Sequence, residues 1–226
     1  MNDDEALPCL PWVAATSLSL LKPWLRRALM PAASVLARRG VTANQITILS
    51  IIVSVVLGAC LALAPGKPVL HAMVSFWLVA RTLLASLDGT LAVCFGQKSR
   101  LGGFLNETGD IASDIALYAP LSLVSPFTAS QVALVLSLTV AGELAGVCCE
   151  RLDTGRRCEG PLGKADRAFA FGAINIWIAA QGMLPASATI LMPILSVLAG
   201  LTLVNRLRFA ACEHKAPSKR IRRLPP

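Results

Sequence analysis

The sequence predicts an all-α polytopic membrane protein, with six transmembrane helices and an N-terminal interfacial amphipathic helix. Composition is the first observation behind this: 55% of the 226 residues are hydrophobic and 15% are charged, against roughly 25% charged in a soluble domain. Mean hydropathy is +0.64. The second is the pattern of the apolar residues. Leu, Ala, Val and Ile come in runs long enough for a hydrocarbon core, which takes about 20 residues to cross. Alternation with a period of two is rare, which excludes an outer-membrane barrel, and the apolar content excludes disorder. The third is the placement of the positive charges, taken up below.

The chain begins Met-Asn-Asp-Asp-Glu, acidic where a signal peptide needs a basic start, so the Met1 end is expected to be retained. From Ser17 to Arg39, the residues Leu18, Leu21, Leu25, Leu29 and Leu36 interleave with Lys22, Arg26, Arg27, Arg38 and Arg39. That basic amphipathic pattern suits a helix in the headgroup region, although Pro23 and Pro31 interrupt it; the alternative is a helix packed on the cytosolic face. Six candidate spans follow, at 44–64, 69–93, 102–124, 129–149, 165–183 and 188–205. Thr42-Ala43-Asn44 supplies an N-cap for the first, Ala64-Pro65-Gly66-Lys67-Pro68 turns the chain into the second, and Leu184-Pro185 separates the fifth from the sixth. The organisation is therefore a cytosolic N-terminus with the interfacial helix at 1–43, a six-helix domain at 44–205 and a basic cytosolic tail at 206–226. The seven Cys form no C-x-x-C pair and no His-supported zinc spacing, and read as small buried hydrophobes.

Five Lys and Arg precede span one, two lie at 94–101, five at 150–167 and seven in the tail, 19 of the 21 in all. These are alternate loops, so the positive-inside bias puts both termini and those two loops in the cytoplasm, in the manner of a bacterial inner-membrane protein. The formal net charge of +8 then faces anionic lipid. Nucleic acid is not an expected partner, because neither a binding fold nor interleaved aromatics accompany the basic tail.

Charged residues within spans are costly, about 2.5–3.5 kcal/mol each at a helix centre, and so mark function. Span two carries Arg81 and Asp88, span three Glu107, Asp110 and Asp114, and span four Glu143. Counted inward from the cytosolic ends at Val93 and Gly102, Asp88 is five residues deep, Asn106 four, Glu107 five and Asp110 eight. At about 1.5 Å per residue they lie within roughly 6 Å of one another in depth. Asn106, Asp110 and Asp114 share one helical stripe with Glu107 on its flank, and Arg81, Ala85 and Asp88 form another. Two such stripes can face each other. Arg81 and Asp114 are each twelve residues deep, below that layer, and read as a buried ion pair.

Asp88-Gly89-x-x-Ala92, followed by Gly102-x-x-x-Asn106-x-x-x-Asp110, resembles the signature of the CDP-alcohol phosphotransferases, D-x-x-D-G-x-x-A-R-x8-G-x-x-x-D-x-x-x-D. The spacing matches at each step, while Ala85, Val93 and Asn106 stand where that family has Asp, Arg and Asp. Val41-Thr42-Ala43-Asn44-Gln45-Ile46-Thr47, Gly163-Lys164 with Arg167, and Asn205-Arg206 are also similar to that family. The resemblance implies six helices around a polar cavity open to the cytosol, a homodimer, and transfer of a phosphatidyl group from CDP-diacylglycerol to an alcohol with release of CMP, a step of phospholipid biosynthesis.

A pyrophosphate donor asks for a divalent cation, Mg²⁺ or Mn²⁺, on oxygen ligands. The resemblance puts Asp88 and Asp110 in that role, with Asn106 offering a carbonyl oxygen and Glu107 a replacement carboxylate. Asp110 also occupies the position of the general base that takes the acceptor's proton. Gly89, Ala92 and Gly102 would let the donor approach the helices closely, or else serve helix packing. Lys164 and Arg167 are expected to bind phosphate, or else to be positive-inside anchors. Two other functions stay open at this point. Loss of carboxylates at Ala85 and Asn106 suits a weakened member that binds a nucleotide lipid, and intramembrane acids suit a small proton- or cation-coupled transporter.

Overall fold

The computed structural model describes residues 22–151 and 160–213. The segment before Lys22, residues 152–159 of the 150–167 loop and the end of the basic tail, for which the sequence carries expectations, lie outside the described residues. The described chain is helical, in the order α1 Lys22–Arg38, α2 Ala43–Leu63, α3 Pro68–Cys94, α4 Arg100–Tyr118, α5 Ala129–Arg151, α6 Lys164–Gln181 and α7 Leu191–Glu213. Single 3₁₀ turns at Ala119–Leu123 and Ala186–Ile190 follow α4 and precede α7.

Local chemistry explains the boundaries. Thr42 caps α2 in a reciprocal box, with Gln45 N donating to Thr42 Oγ1 at 3.3 Å and Thr42 N donating to Gln45 Oε1 at 2.9 Å. Pro68 opens α3, where a missing N–H is no loss. Ser99 Oγ accepts from Gly102 N at 2.9 Å to start α4, and Asp166 Oδ2 accepts from Gly163 N at 2.9 Å at the mouth of α6. Gly182, with φ 75°, ends α6 in the left-handed conformation that glycine adopts without strain.

Each of the six candidate spans overlaps a helix, although α4 ends at Tyr118 with a 3₁₀ turn beyond it, short of the expected end at 124, and α7 runs on to Glu213, past the expected end at 205. The helices also differ in character. Among the described residues, four helical stretches are long and apolar enough to cross a membrane: Ala43–Leu63, Pro68–Cys94, Ala129–Val147 and Ala186–Arg208. Length and apolarity by themselves therefore support four of the six expected spans. Helix α4 carries Arg100, Glu107, Asp110 and Asp114, and α6 carries Lys164, Asp166 and Arg167. Neither would partition into lipid by itself.

The bundle gives those two helices shelter. Helix α4 packs on α2, α6 on α3, and α5 on α7, with α2 also against α3. The α2–α4 contact is backbone-close, because a Cβ on Gly58 would collide with the Ala116 carbonyl. Leu61, Leu78, Leu117, Leu121, Phe171 and Met192 are buried in the main core, and the rings of Tyr118 and Phe171 stack at 3.9 Å between α4 and α6. A second cluster joins Ala33 of α1 to Ala43, Ile46 and Leu91. Helix α1 thus rests on one end of α2 and α3 and leaves Trp24, Met30 and Val35 exposed.

Candidate active site

At the end of the bundle where α1 sits, the helices part around a cavity of about 740 Å³. Asp88, Gly89 and Ala92 reach it from α3, Gly102, Asn106, Glu107 and Asp110 from α4, and Lys164 from the first residue of α6. The depth count and the two helical stripes had put these acids at one level. Packing of α4 and α6 against α2 and α3 turns them toward a common space.

The first acid is fixed by α2. Thr47 has one hydroxyl proton, shared between Asp88 Oδ2 at 2.8 Å and the Ala43 carbonyl at 3.1 Å. Ala43 in turn is set by Gln97 from the α3–α4 loop, whose Oε1 accepts from Ala43 N at 2.7 Å while its Nε2 donates to the Val41 carbonyl at 3.3 Å. The second acid is held between two cations. Arg81 Nη2 donates to Asp110 Oδ1 at 3.1 Å, and Lys164 Nζ pairs with Asp110 Oδ2 from the other side.

Beneath the cavity lies a buried ion cluster. Arg81 Nη1 donates to Asp114 Oδ1 at 2.5 Å. Arg167 donates to Asp114 Oδ2 through Nε at 3.3 Å and Nη2 at 3.0 Å, and to Glu143 Oε1 at 2.8 Å. Arg206 lies 3.6 Å from the same Glu143 oxygen, and its Nη1 donates to the Gly142 carbonyl at 2.6 Å. The structure therefore does not bring Arg167 to the cavity as a phosphate ligand. Its side chain is 3% exposed and spent on two carboxylates, because its place one turn beyond Lys164 puts it about 4.5 Å deeper, at the level of Asp114 below the cavity. Arg81 and Asp114 are in contact, and the Arg167 guanidinium completes the group.

The glycines divide as well. A Cβ on Gly89 would meet nothing within 4 Å, so this face is open to a ligand, whereas one on Gly102 would stand 2.6 Å from Asn44 Oδ1, so that glycine serves packing of α4 on α2. Four charged lining residues had been given no role in the site from sequence: Arg26, Lys98, Glu143 and Arg206. Glu143 was detectable as a lone acid in an apolar helix, and Arg206 through its Asn205-Arg206 context. Nothing in Arg26 separated it from the other cations of α1.

As a donor set, Asp88, Asn106, Glu107 and Asp110 offer only hard oxygens, which fits a cation such as Mg²⁺. Among the described residues no three acidic, His or Cys side chains converge as a metal cluster. Asp88, Asp110 and Asn106 line the same space. Val79, Val93 and Phe169 are both exposed on the bundle's outside and part of the lining, so the cavity opens sideways between apolar surfaces as well as toward its end. It can hold a molecule with a charged head and apolar tails.

No family model matches the chain. It is 37% identical over 192 residues to the inner membrane protein YnbA of Escherichia coli (strain K12), a match that covers 85% of this chain and 95% of the relative. It is 30% identical over 106 residues to the archaetidylinositol phosphate synthase of Pyrococcus horikoshii, covering 47% of this chain and 54% of that enzyme, about half of each.

Proposed function

This chain belongs to the family of the Escherichia coli inner membrane protein YnbA, and from that premise we propose that it is a membrane transferase of the CDP-alcohol phosphotransferase type. It moves a phosphatidyl or similar substituted phosphate from CDP-diacylglycerol, or a related CDP-linked donor, to an alcohol, and releases CMP. The carrying observation is the cavity in which Asp88 and Asp110, from the two halves of the signature, meet Lys164 beside a lateral apolar opening. The partial match to an archaetidylinositol phosphate synthase supports the same class.

All six candidate spans cross the inner membrane in this reading. Helices α4 and α6 are admitted because Asp110, Asp114, Lys164 and Arg167 satisfy one another inside the bundle. Both termini face the cytoplasm, where the positive charges lie.

The residues divide the work. The acceptor hydroxyl oxygen attacks the phosphorus of the transferred group, the bond to the CMP oxygen breaks with its electron pair leaving on CMP, and the hydroxyl proton passes to the Asp110 carboxylate. Lys164 and Arg206 line the cavity and orient phosphate oxygens. Asp88 and Asp110, with Asn106 and Glu107 on the same lining, would hold Mg²⁺ or Mn²⁺, which when bound neutralises pyrophosphate charge. Gly89 leaves room for the donor to lie against α3.

One observation favours a second reading. Because three ligating side chains do not converge among the described residues, a nucleotide-lipid-binding protein without turnover would need no more than this cavity. Purified protein in lipid with Mg²⁺ or Mn²⁺, labelled CDP-diacylglycerol and a panel of alcohols separates the two. Metal-dependent CMP release that requires one of the alcohols is the expected result. Saturable donor binding with no CMP under any alcohol would leave only the second reading.

A further inference from the structure

The two cations on Asp110 are not equivalent. Arg81 is buried and also tied to Asp114, so it could leave Asp110 Oδ1 only by weakening a second buried ion pair. Lys164 has its side chain 31% exposed, sits at the first turn of α6, and reaches Oδ2 along a flexible four-carbon stem with the open cavity beside it. One oxygen of Asp110 is fastened and the other is held on a movable arm.

The charges around the cavity point the same way. Asp88, Glu107, Asp110 and Glu143 line it together with Arg26, Lys98, Lys164 and Arg206, four formal negatives against four formal positives. A free divalent cation gains no net attraction from such a lining, and at Asp110 it meets an ammonium already in place. A donor carrying a pyrophosphate changes that balance, since its oxygens can take the ammonium while the cation takes the carboxylate.

We propose that Lys164 is a built-in counter-cation of Asp110, which a divalent cation must displace, so that cation and phosphate donor bind cooperatively rather than independently. The proposal deepens the transferase reading and rests on its claim that this cavity takes a cation together with a CDP-linked donor. By reciprocity the ammonium weakens cation binding alone and strengthens it when phosphate is present.

The test is Mn²⁺ binding by the full chain in lipid nanodiscs, with free Mn²⁺ read by electron paramagnetic resonance, with and without CDP. Lys164→Met and Lys164→Gln should each bind Mn²⁺ about 10-fold more tightly than wild type without nucleotide, and lose most of the tightening that CDP gives wild type. Lys164→Arg, which keeps a cation, should stay near wild type. Lys98→Met, which removes a cation from the same lining, should have a much smaller effect. Unchanged or weaker Mn²⁺ binding in both neutral variants, equal tightening by Lys98→Met, or no Mn²⁺ binding in any protein would overturn the proposal. CMP release measured on the same preparations separates the two claims. Release with Mn²⁺ affinity indifferent to Lys164 would sink the counter-cation and keep the transferase, and tightening without release under any alcohol would do the reverse.

Discussion

Asp110 and Asp114 stand one turn apart on α4, and Lys164 and Arg167 stand three residues apart on α6, yet the upper pair and the lower pair belong to different regions. In the lower one, Arg81, Asp114 and Arg167 have side chains 3–5% exposed and each has at least two ionic partners. In the upper one, the Asp110 and Lys164 side chains are 22% and 31% exposed at the edge of a cavity. The same residue types thus do opposite things. A buried, multiply bonded ion is a fastening, since removing one partner strands another in a medium that cannot solvate it. A half-exposed pair beside an opening can be exchanged for a ligand, because water and the ligand both compensate the separated charges.

The most severe break of this contrast is expected at Asp110. Asp110→Asn keeps the shape and one acceptor oxygen, enough for one of the two cations on Asp110, but removes the base and one negative ligand, so CMP release should fall by about 100-fold or more while the protein remains folded. Turnover near wild type at saturating metal would remove Asp110 from the chemistry.

Next comes the fastening. Asp114→Leu leaves Arg81 with Asp110 alone and Arg167 with Glu143 alone, and should lower stability by about 3–5 kcal/mol, read as thermal unfolding in detergent. Arg81→Leu should lower it less, because Arg167 keeps two hydrogen bonds to Asp114. The double variant Arg81→Leu with Asp114→Leu should be milder than the sum of the two. Additive losses would mean that the cluster is not a unit.

A smaller effect sharpens the exchangeable side. Ala85 lines the cavity one turn from Asp88, so Ala85→Asp should lower the Mg²⁺ concentration for half-maximal CMP release severalfold, and Glu107→Gln should raise it. Superimposable Mg²⁺ curves for the two variants and wild type would show that this layer does not hold the metal.

The smallest change is expected at Gln97, which lines the cavity but has its hydrogen bonds on the backbone of Val41 and Ala43. Gln97→Ala removes two hydrogen bonds at the start of α2, about 1 kcal/mol of thermal stability. It should also raise the donor KM slightly through the loosened Thr47–Asp88 contact. A donor KM as in wild type would confine Gln97 to capping.

A transporter needs a polar path from one face to the other. Below Asp114 the bundle closes on the stacked rings of Tyr118 and Phe171 and on Leu117 and Leu121, all buried. The cavity lining ends there, and the buried polar side chains farther on, Ser75 and His71 with Asn175, bond to one another or to backbone carbonyls; a pocket that ends suits a bound substrate better than a passage.

Much of this was written along the chain. The helices and their joints follow from apolar run length, from Thr42, Ser99 and Gly163 at helix starts and from Gly182 at a helix end, all of which act within a few residues of themselves. The level shared by Asp88, Asn106, Glu107 and Asp110, and the deeper level of Arg81 and Asp114, follow from the constant rise of a helix. Partner choice does not follow in this way. Depth counting treats Lys164 and Arg167 as neighbours at one mouth, but at about 1.5 Å per residue three residues carry Arg167 one turn deeper on nearly the same face, below the cavity and onto Asp114 and Glu143. Whether a given face meets a cavity or another helix depends on how α6 is rotated against α3 and how close α4 comes to α2 at Gly58. Those are properties of packing between segments far apart in the chain, and only the tertiary structure decides them.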